Sequence, residues 1–207
     1  MVRRRFVART FSCTKRHMMN TLTIHALKIS NSEFDRIIKA NPDWQFEQTA
    51  AGELVIVSPT GGSSGRRNSN LTRQLDTWSS SNNLGIAFDS STLFILPNGA
   101  KRSPDASWVR RERWENLTLE QQDGYPPICP DFVVELRSPT DNLNELQAKM
   151  QEYMNNGARL GWLIDPQSRQ VEIYRFGQAV DILNSPNTVS GEDVLPGFVL
   201  DISAIFS

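Results

Sequence analysis

Residues 132–136, Phe-Val-Val-Glu-Leu, are a run of β-favouring apolar residues interrupted by one carboxylate. A short continuous apolar run of this kind reads as a strand buried on both faces. Ser138-Pro139-Thr140-Asp141 follows it as a turn able to cap a helix. A helix is expected over about 142–156, ending near Gly157. Leu160 to Ile164 then reads as a strand, Asp165-Pro166 as a turn, and Val171 to Arg175 as another strand. A strand, a helix and two more strands in succession make this an α/β (mixed) chain built around a central sheet.

The rest of the chain fits that frame. Ser30 with Glu33 has the spacing of a capping box and predicts a helix over about 31–40. Trp44 to Thr49 and Glu53 to Val57 predict a hairpin turning at Ala50-Ala51-Gly52. Residues 58–65, rich in Gly and Ser, are expected to be a flexible loop; no Gly-Lys-Ser/Thr follows, so it is no phosphate loop. Leu71, Leu75 and Trp78 place a helix over about 66–78. Strands are expected near 85–89, 92–96 and 106–110, and 111–130 reads as irregular. The tail, 192–207, is apolar enough to pack as an edge element.

Composition removes several chemistries. No apolar run approaches the ~20 residues of a membrane-spanning helix. Cys13 and Cys129 cannot make a disulfide framework. His17 and His25 both lie near the N-terminus, which argues against zinc and against Ser-His-Asp catalysis in the body of the chain. Chemistry there must rest on carboxylates, lysine, arginine, tyrosine or hydroxyls.

The charge is unevenly placed. Residues 1–32 hold seven Lys/Arg and no acid, whereas 33–207 carry a net charge of −8. A body that acidic is no general electrostatic binder of nucleic acid. Residues 1–29 are read as a basic leader and 30–207 as the folded domain. The leader has three readings: an organelle transit peptide, an arm that touches phosphates, or sequence upstream of a start at Met18 or Met19. Cytoplasmic localisation and no membrane partner are expected.

Three residues carry the chemistry. Asp105 begins a predicted strand. Glu135 lies inside an apolar strand, where a charge is costly unless paired or metal-bound. Lys149 sits on the border of the apolar face formed by Leu143, Leu146, Met150, Tyr153 and Met154, so its stem can reach back over the sheet. Two carboxylates at facing ends of neighbouring strands suit a hard divalent cation, Mg²⁺ or Mn²⁺. With a lysine nearby, such a set suits metal-assisted phosphodiester hydrolysis. Each residue also has a plainer reading: Pro104-Asp105 as a turn, Glu135 paired with Arg137, Lys149 as a solvated helix residue. Lys101, Arg102, Arg110, Arg111 and Arg113 surround Asp105 with positive charge, and Arg66, Arg67 and Arg73 could add to the same side.

These residues carry a resemblance. Residues 102–109, Arg-Ser-Pro-Asp-Ala-Ser-Trp-Val, and 130–141, Pro-Asp-Phe-Val-Val-Glu-Leu-Arg-Ser-Pro-Thr-Asp, resemble the Uma-type endonuclease family. So do 145–153 and 156–166, Asn-Gly-Ala-Arg-Leu-Gly-Trp-Leu-Ile-Asp-Pro, and the hairpin 52–59. The resemblance spans about 30–180. That family is placed in the PD-(D/E)XK nuclease superfamily, which implies a restriction-endonuclease-like central mixed sheet flanked by helices in a single domain. It implies DNA cleavage, with Asp105, Glu135 and the backbone carbonyl of Leu136 holding the metal. The superfamily's lysine belongs two residues after the second acid, where this chain has Arg137, and arginine keeps its proton. Lys149 on the following helix is the lysine that the family implies. Glu53 and Arg137 are accessory candidates. Arg66, Arg67, Lys101 and Arg102 are expected on the DNA backbone. The partner is DNA, in duplex form, with a homodimer as the assembly such nucleases adopt. The alternative is a catalytically inactive nuclease-like scaffold that binds nucleic acid or protein.

Overall fold

The computed structural model describes residues 21–207. Cys13, His17 and most of the leader lie outside the described residues. Thr21–Lys28, the end of the segment read as a leader, forms strand β1. Helix α1, Asn31–Ala40, starts at the expected capping box: the Ser30 hydroxyl accepts from Glu33 N–H and Glu33 accepts from Ser30 N–H. The hairpin consists of β2, Gln45–Gln48, and β3, Glu53–Val57. Gly52 at its turn has φ +87°, the left-handed region that glycine enters without strain.

Helix α2 runs over Gly62–Asn82, so residues 62–65, the second half of the stretch expected as a flexible loop, are its first turn, while 58–61 lie outside any helix or strand. Tertiary contacts hold that turn despite its poor helix propensity: Arg66 donates to Ser207 O at 2.8 Å and Arg67 to the same oxygen at 3.2 Å. Strands β4 (Gly85–Asp89), β5 (Phe94–Ile95), β6 (Lys101–Arg102) and β7 (Ala106–Arg110) follow. The stretch read as irregular contains two short helices, α3 (Arg111–Glu115) and α4 (Leu119–Asp123). The second begins at a capping box, Thr118 with Gln121. Then come β8 (Phe132–Leu136), α5 (Leu143–Asn155), β9 (Leu160–Asp165) and β10 (Gln170–Arg175). Strands β11 (Asp181–Asn184), β12 (Thr188–Ser190) and β13 (Val199–Asp201) and helix α6 (Ser203–Phe206) complete the chain.

The fold is mixed α/β. The central sheet has six strands in the order β11-β10-β9-β8-β7-β4. Among the described residues only β8 and β9 pair in parallel, and α5 is the crossover between them. The single sheet expected from sequence is joined by a five-stranded sheet, β1-β3-β2-β6-β5, and by the two-stranded β12-β13. Strand period puts alternate residues of β8 on opposite faces. Phe132, Val134 and Leu136 pack with Leu71 and Leu75 of α2. Val133 packs with Met150, Tyr153 and Met154 of α5. The tail is no mere edge: Leu195, Leu200, Ile202 and Ile205 are fully buried against the α2 face.

Gly161 lets α5 lie close on β9. A Cβ there would stand 2.5 Å from Met150 Cε and 3.3 Å from Val133 Cγ2. The methionine tip can yield to one methyl but not to a branched side chain. Gly161→Val is expected to cost about 2 kcal/mol through overpacking. Chemical denaturation checks this, and an unchanged midpoint would show that α5 is not seated as described.

Candidate active site

Three residues, 103–105, link the five-stranded sheet to the central one. Strand β6 ends at Arg102, Ser103-Pro104 follow, and Asp105 immediately precedes β7. The β7/β8 register pairs Ala106 with Val134, so one further step sets Asp105 opposite Glu135. Opposite residues of antiparallel strands hold their Cβ atoms about 5 Å apart on the same face. The next step sets Leu136 opposite Pro104, which has no N–H for the Leu136 carbonyl. The Leu136 N–H turns to Asp105 Oδ2, at 2.7 Å. Asn68 of α2 donates to Asp105 Oδ1 at 2.8 Å, while its own Oδ1 is buried without a partner.

Glu135 is 4% exposed. Its Oε1 accepts from the Tyr153 hydroxyl at 3.0 Å and lies 2.9 Å from Lys149 Nζ. Lys149 also donates to Glu47 Oε1 at 2.9 Å. Glu47 is the residue that sequence reasoning missed. It projects from β2 and is 4% exposed. Its Oε1 also takes Ser103 N–H at 2.9 Å, and Arg102 holds its Oε2 at 3.1 Å. Arg102 in turn donates to Glu152 Oε2 at 2.6 Å. In sequence, Glu47 is one charge in an ordinary hairpin, and nothing local separates it from a solvated strand residue.

The electrostatics assign different states to these groups. Burial works against the Lys149 ammonium, but Glu135 and Glu47 outweigh it and hold the lysine above its usual range. Burial likewise opposes ionised Glu47, yet Lys149 and Arg102 bring it below the usual carboxylate range. Burial pushes Asp105 up against the pull of Leu136 N–H and Lys149. Glu135 is pushed to about 7 by burial, resisted by Lys149 and reinforced by Asp105 and Glu47. One ammonium shared by two carboxylates leaves Glu47 ionised and Glu135 the group that titrates. A lysine held as an ammonium donates hydrogen bonds and stabilises charge; it does not abstract protons.

The structure brings Asp105, Glu135 and Lys149 together at the sheet end and places the other predicted residues as follows. Glu53 opens β3, next to the strand that carries Glu47, with its N–H on Thr49 Oγ1 at 3.0 Å. Arg137 lies just beyond β8 and pairs with Asp165 at 2.7 Å. Lys101 is 3% exposed, donates to Asn31 and Gln48, and lies 4.4 Å from the centre of the Phe34 ring. Arg102 belongs to the ion-pair chain just described. Arg66 remains exposed at the start of α2, two residues from Asn68.

The donor set can be tested against a divalent cation. Among the described residues no group of three or more His, Cys, Asp and Glu is arranged to hold a metal. The set therefore offers Asp105, Glu135 and the ladder-free carbonyl of Leu136. It fits Mg²⁺ or Mn²⁺: Mg²⁺ is commonly held by one or two carboxylates, with water and substrate phosphate completing its shell. Glu135 Oε2 has no protein donor among the described residues, so Glu135 keeps one oxygen for a cation while Oε1 serves Lys149 and Tyr153.

Among the described residues no helix is long and apolar enough to cross a membrane. No curated protein matches the chain. Among solved structures it is similar to a putative nuclease belonging to DUF820 from Anabaena variabilis, with a TM-score of 0.66 and 20% identity. That likeness covers 78% of this chain and 89% of the other, and it supports the fold. The Uma2 family, described as putative restriction endonuclease, matches residues 32–203, so the chain belongs to that family.

Proposed function

We propose that this protein is a metal-dependent endonuclease that hydrolyses phosphodiester bonds of duplex DNA. The observation that carries the reading is the convergence of Asp105, Glu135 and Lys149: one carboxylate just before β7, one register step on opposite the other in β8, with an ammonium 2.9 Å from the latter. Asp105 and Glu135, with the Leu136 carbonyl, would hold Mg²⁺ or Mn²⁺. When bound, such a cation supplies Lewis-acid polarisation of the phosphate and lowers the pKa of a water.

The protein's own groups supply the rest. Asn68 and Leu136 N–H fix the Asp105 carboxylate from both oxygens. Tyr153 fixes Glu135. Lys149 stays cationic and offers N–H donors where negative charge grows on the phosphate. Arg66, exposed near Asn68 though hydrogen-bonded to Ser207, would meet the DNA backbone. Arg137, tied to Asp165, takes no part in this account.

Calorimetric titration of Mg²⁺ and of Mn²⁺ into the full chain tests the metal site. Binding is expected in the wild type and should vanish in Asp105→Ala and in Glu135→Ala. Absence of binding in the wild type, repeated with a short DNA duplex present to complete the shell, would overturn the reading and favour an inactive nuclease-like scaffold.

A further inference from the structure

We propose that Glu47 is the positioning residue of Lys149, so that the β2–β3 hairpin sets the direction of the ammonium. This rests on the nuclease reading above. A lysine has a long flexible stem, and Lys149 starts from the middle of α5, at the border of its apolar face, rather than on the strand beside Glu135. Glu135 alone would give it a single attachment. Glu47 supplies a second at the same 2.9 Å and is itself clamped by Ser103 N–H and Arg102. Arg102 continues to Glu152, three residues after Lys149 on the same helix. The contacts thus form a closed ring: Lys149, Glu47, Arg102, Glu152 and back along α5. Arg102 is shared between Glu47 and Glu152, so Lys149 supplies the second positive charge that the two carboxylates of the ring need. The ring fixes the lysine tip relative to the strands that carry Asp105 and Glu135.

The test is Glu47→Gln in the full chain. The amide keeps the size of the side chain and one acceptor oxygen but removes the charge that holds the ammonium. Steady-state cleavage of duplex DNA with Mg²⁺ should show kcat reduced about 10–100-fold, the range typical of residues that orient catalytic ligands, with KM unchanged. In a Lys149→Ala background the same change should add no further loss. Nuclear magnetic resonance of ¹⁵N-lysine protein gives a readout without turnover: the Lys149 ammonium signal, protected in the wild type, should be lost in Glu47→Gln. If Glu47→Gln fails to fold, Glu47→Asp keeps the charge for Arg102 and draws the oxygen back from Lys149. It should lose kcat in a folded protein. Wild-type kcat in either folded variant, additive losses with Lys149→Ala, or an unchanged ammonium signal would overturn the proposal. A wild type that cleaves no DNA would instead refute the nuclease reading, and the ammonium signal would still decide the role of Glu47.

Discussion

Asp105→Ala should lower Mg²⁺-dependent cleavage of duplex DNA by about 10³-fold or more while the domain stays folded. A metal-held carboxylate commands several kcal/mol of transition-state stabilisation, and ~4 kcal/mol corresponds to a factor of about 10³. The structural cost is smaller. The change leaves Leu136 N–H and the Asn68 amide without their acceptor, at about 1–3 kcal/mol for each group that water does not reach. Asp105 is only half-buried, so water can replace part of the loss. The comparison needs a cleavage assay beside circular dichroism of the same preparation. Full activity in a folded Asp105→Ala protein would remove this residue from the active site.

Glu135→Gln should make the protein more stable at alkaline pH while abolishing cleavage. The folded pKa of Glu135, about 7, lies above its ordinary value of 4.5. Between those values the folded state binds more protons than the unfolded one, so Glu135 makes the wild type less stable as pH rises through that window. The deficit is absent below pH 4.5 and complete above pH 7. The amide imitates the protonated acid and escapes the deficit, with a gain on the order of 2–3 kcal/mol above pH 7. Thermal unfolding without divalent cations at pH 4.5 and pH 8 measures it. A difference between variant and wild type that does not change with pH would show that Glu135 does not titrate as described. Added Mg²⁺ should restore stability to the wild type and not to Glu135→Gln, since a ligand stabilises only the state that binds it.

Much of the architecture is legible in the sequence because its signals are local. Ser30 and Glu33 mark α1 by their own hydrogen bonds, and the apolar run 132–136 marks β8 to the residue. The first turn of α2 is illegible because Gly62, Ser63, Ser64 and Gly65 gain their helix from contacts with the tail some 140 residues away. Strand β1 hides behind the basic residues that precede it, although Thr21-Leu22-Thr23-Ile24 alternates with strand period. Capped helix α4 is masked by Pro126, Pro127 and Pro130 close after it. In the site, Asp105 could be singled out at the start of a strand, Glu135 because it breaks an apolar run, and Lys149 because it borders the apolar face of its helix. Glu47 could not, since its partner Lys149 lies 102 residues further on. The basic residues failed differently: clustering in sequence placed Lys101 and Arg102 on a surface, whereas β6 lies between covering elements, so Lys101 meets Gln48 and Asn31 and Arg102 meets Glu47 and Glu152.

The ring that closes through Glu47 has a consequence for a chain still leaving the ribosome. Domains emerge from the N-terminal end first. The hairpin that carries Glu47 and the strand after Asp105 are made early, but α5 can dock only once β9 exists to receive it beside β8. Pairing a parallel strand across a helical crossover is slow, because the loop must close before any contact rewards it. The lysine is therefore made after both carboxylates, and its helix waits for β9 before it can dock. A chain cut short before residue 160 would carry the acids without their lysine held in position. On the nuclease reading proposed above, such a fragment would lack the held ammonium that cleavage needs, and a half-made molecule would leave the DNA around it uncut.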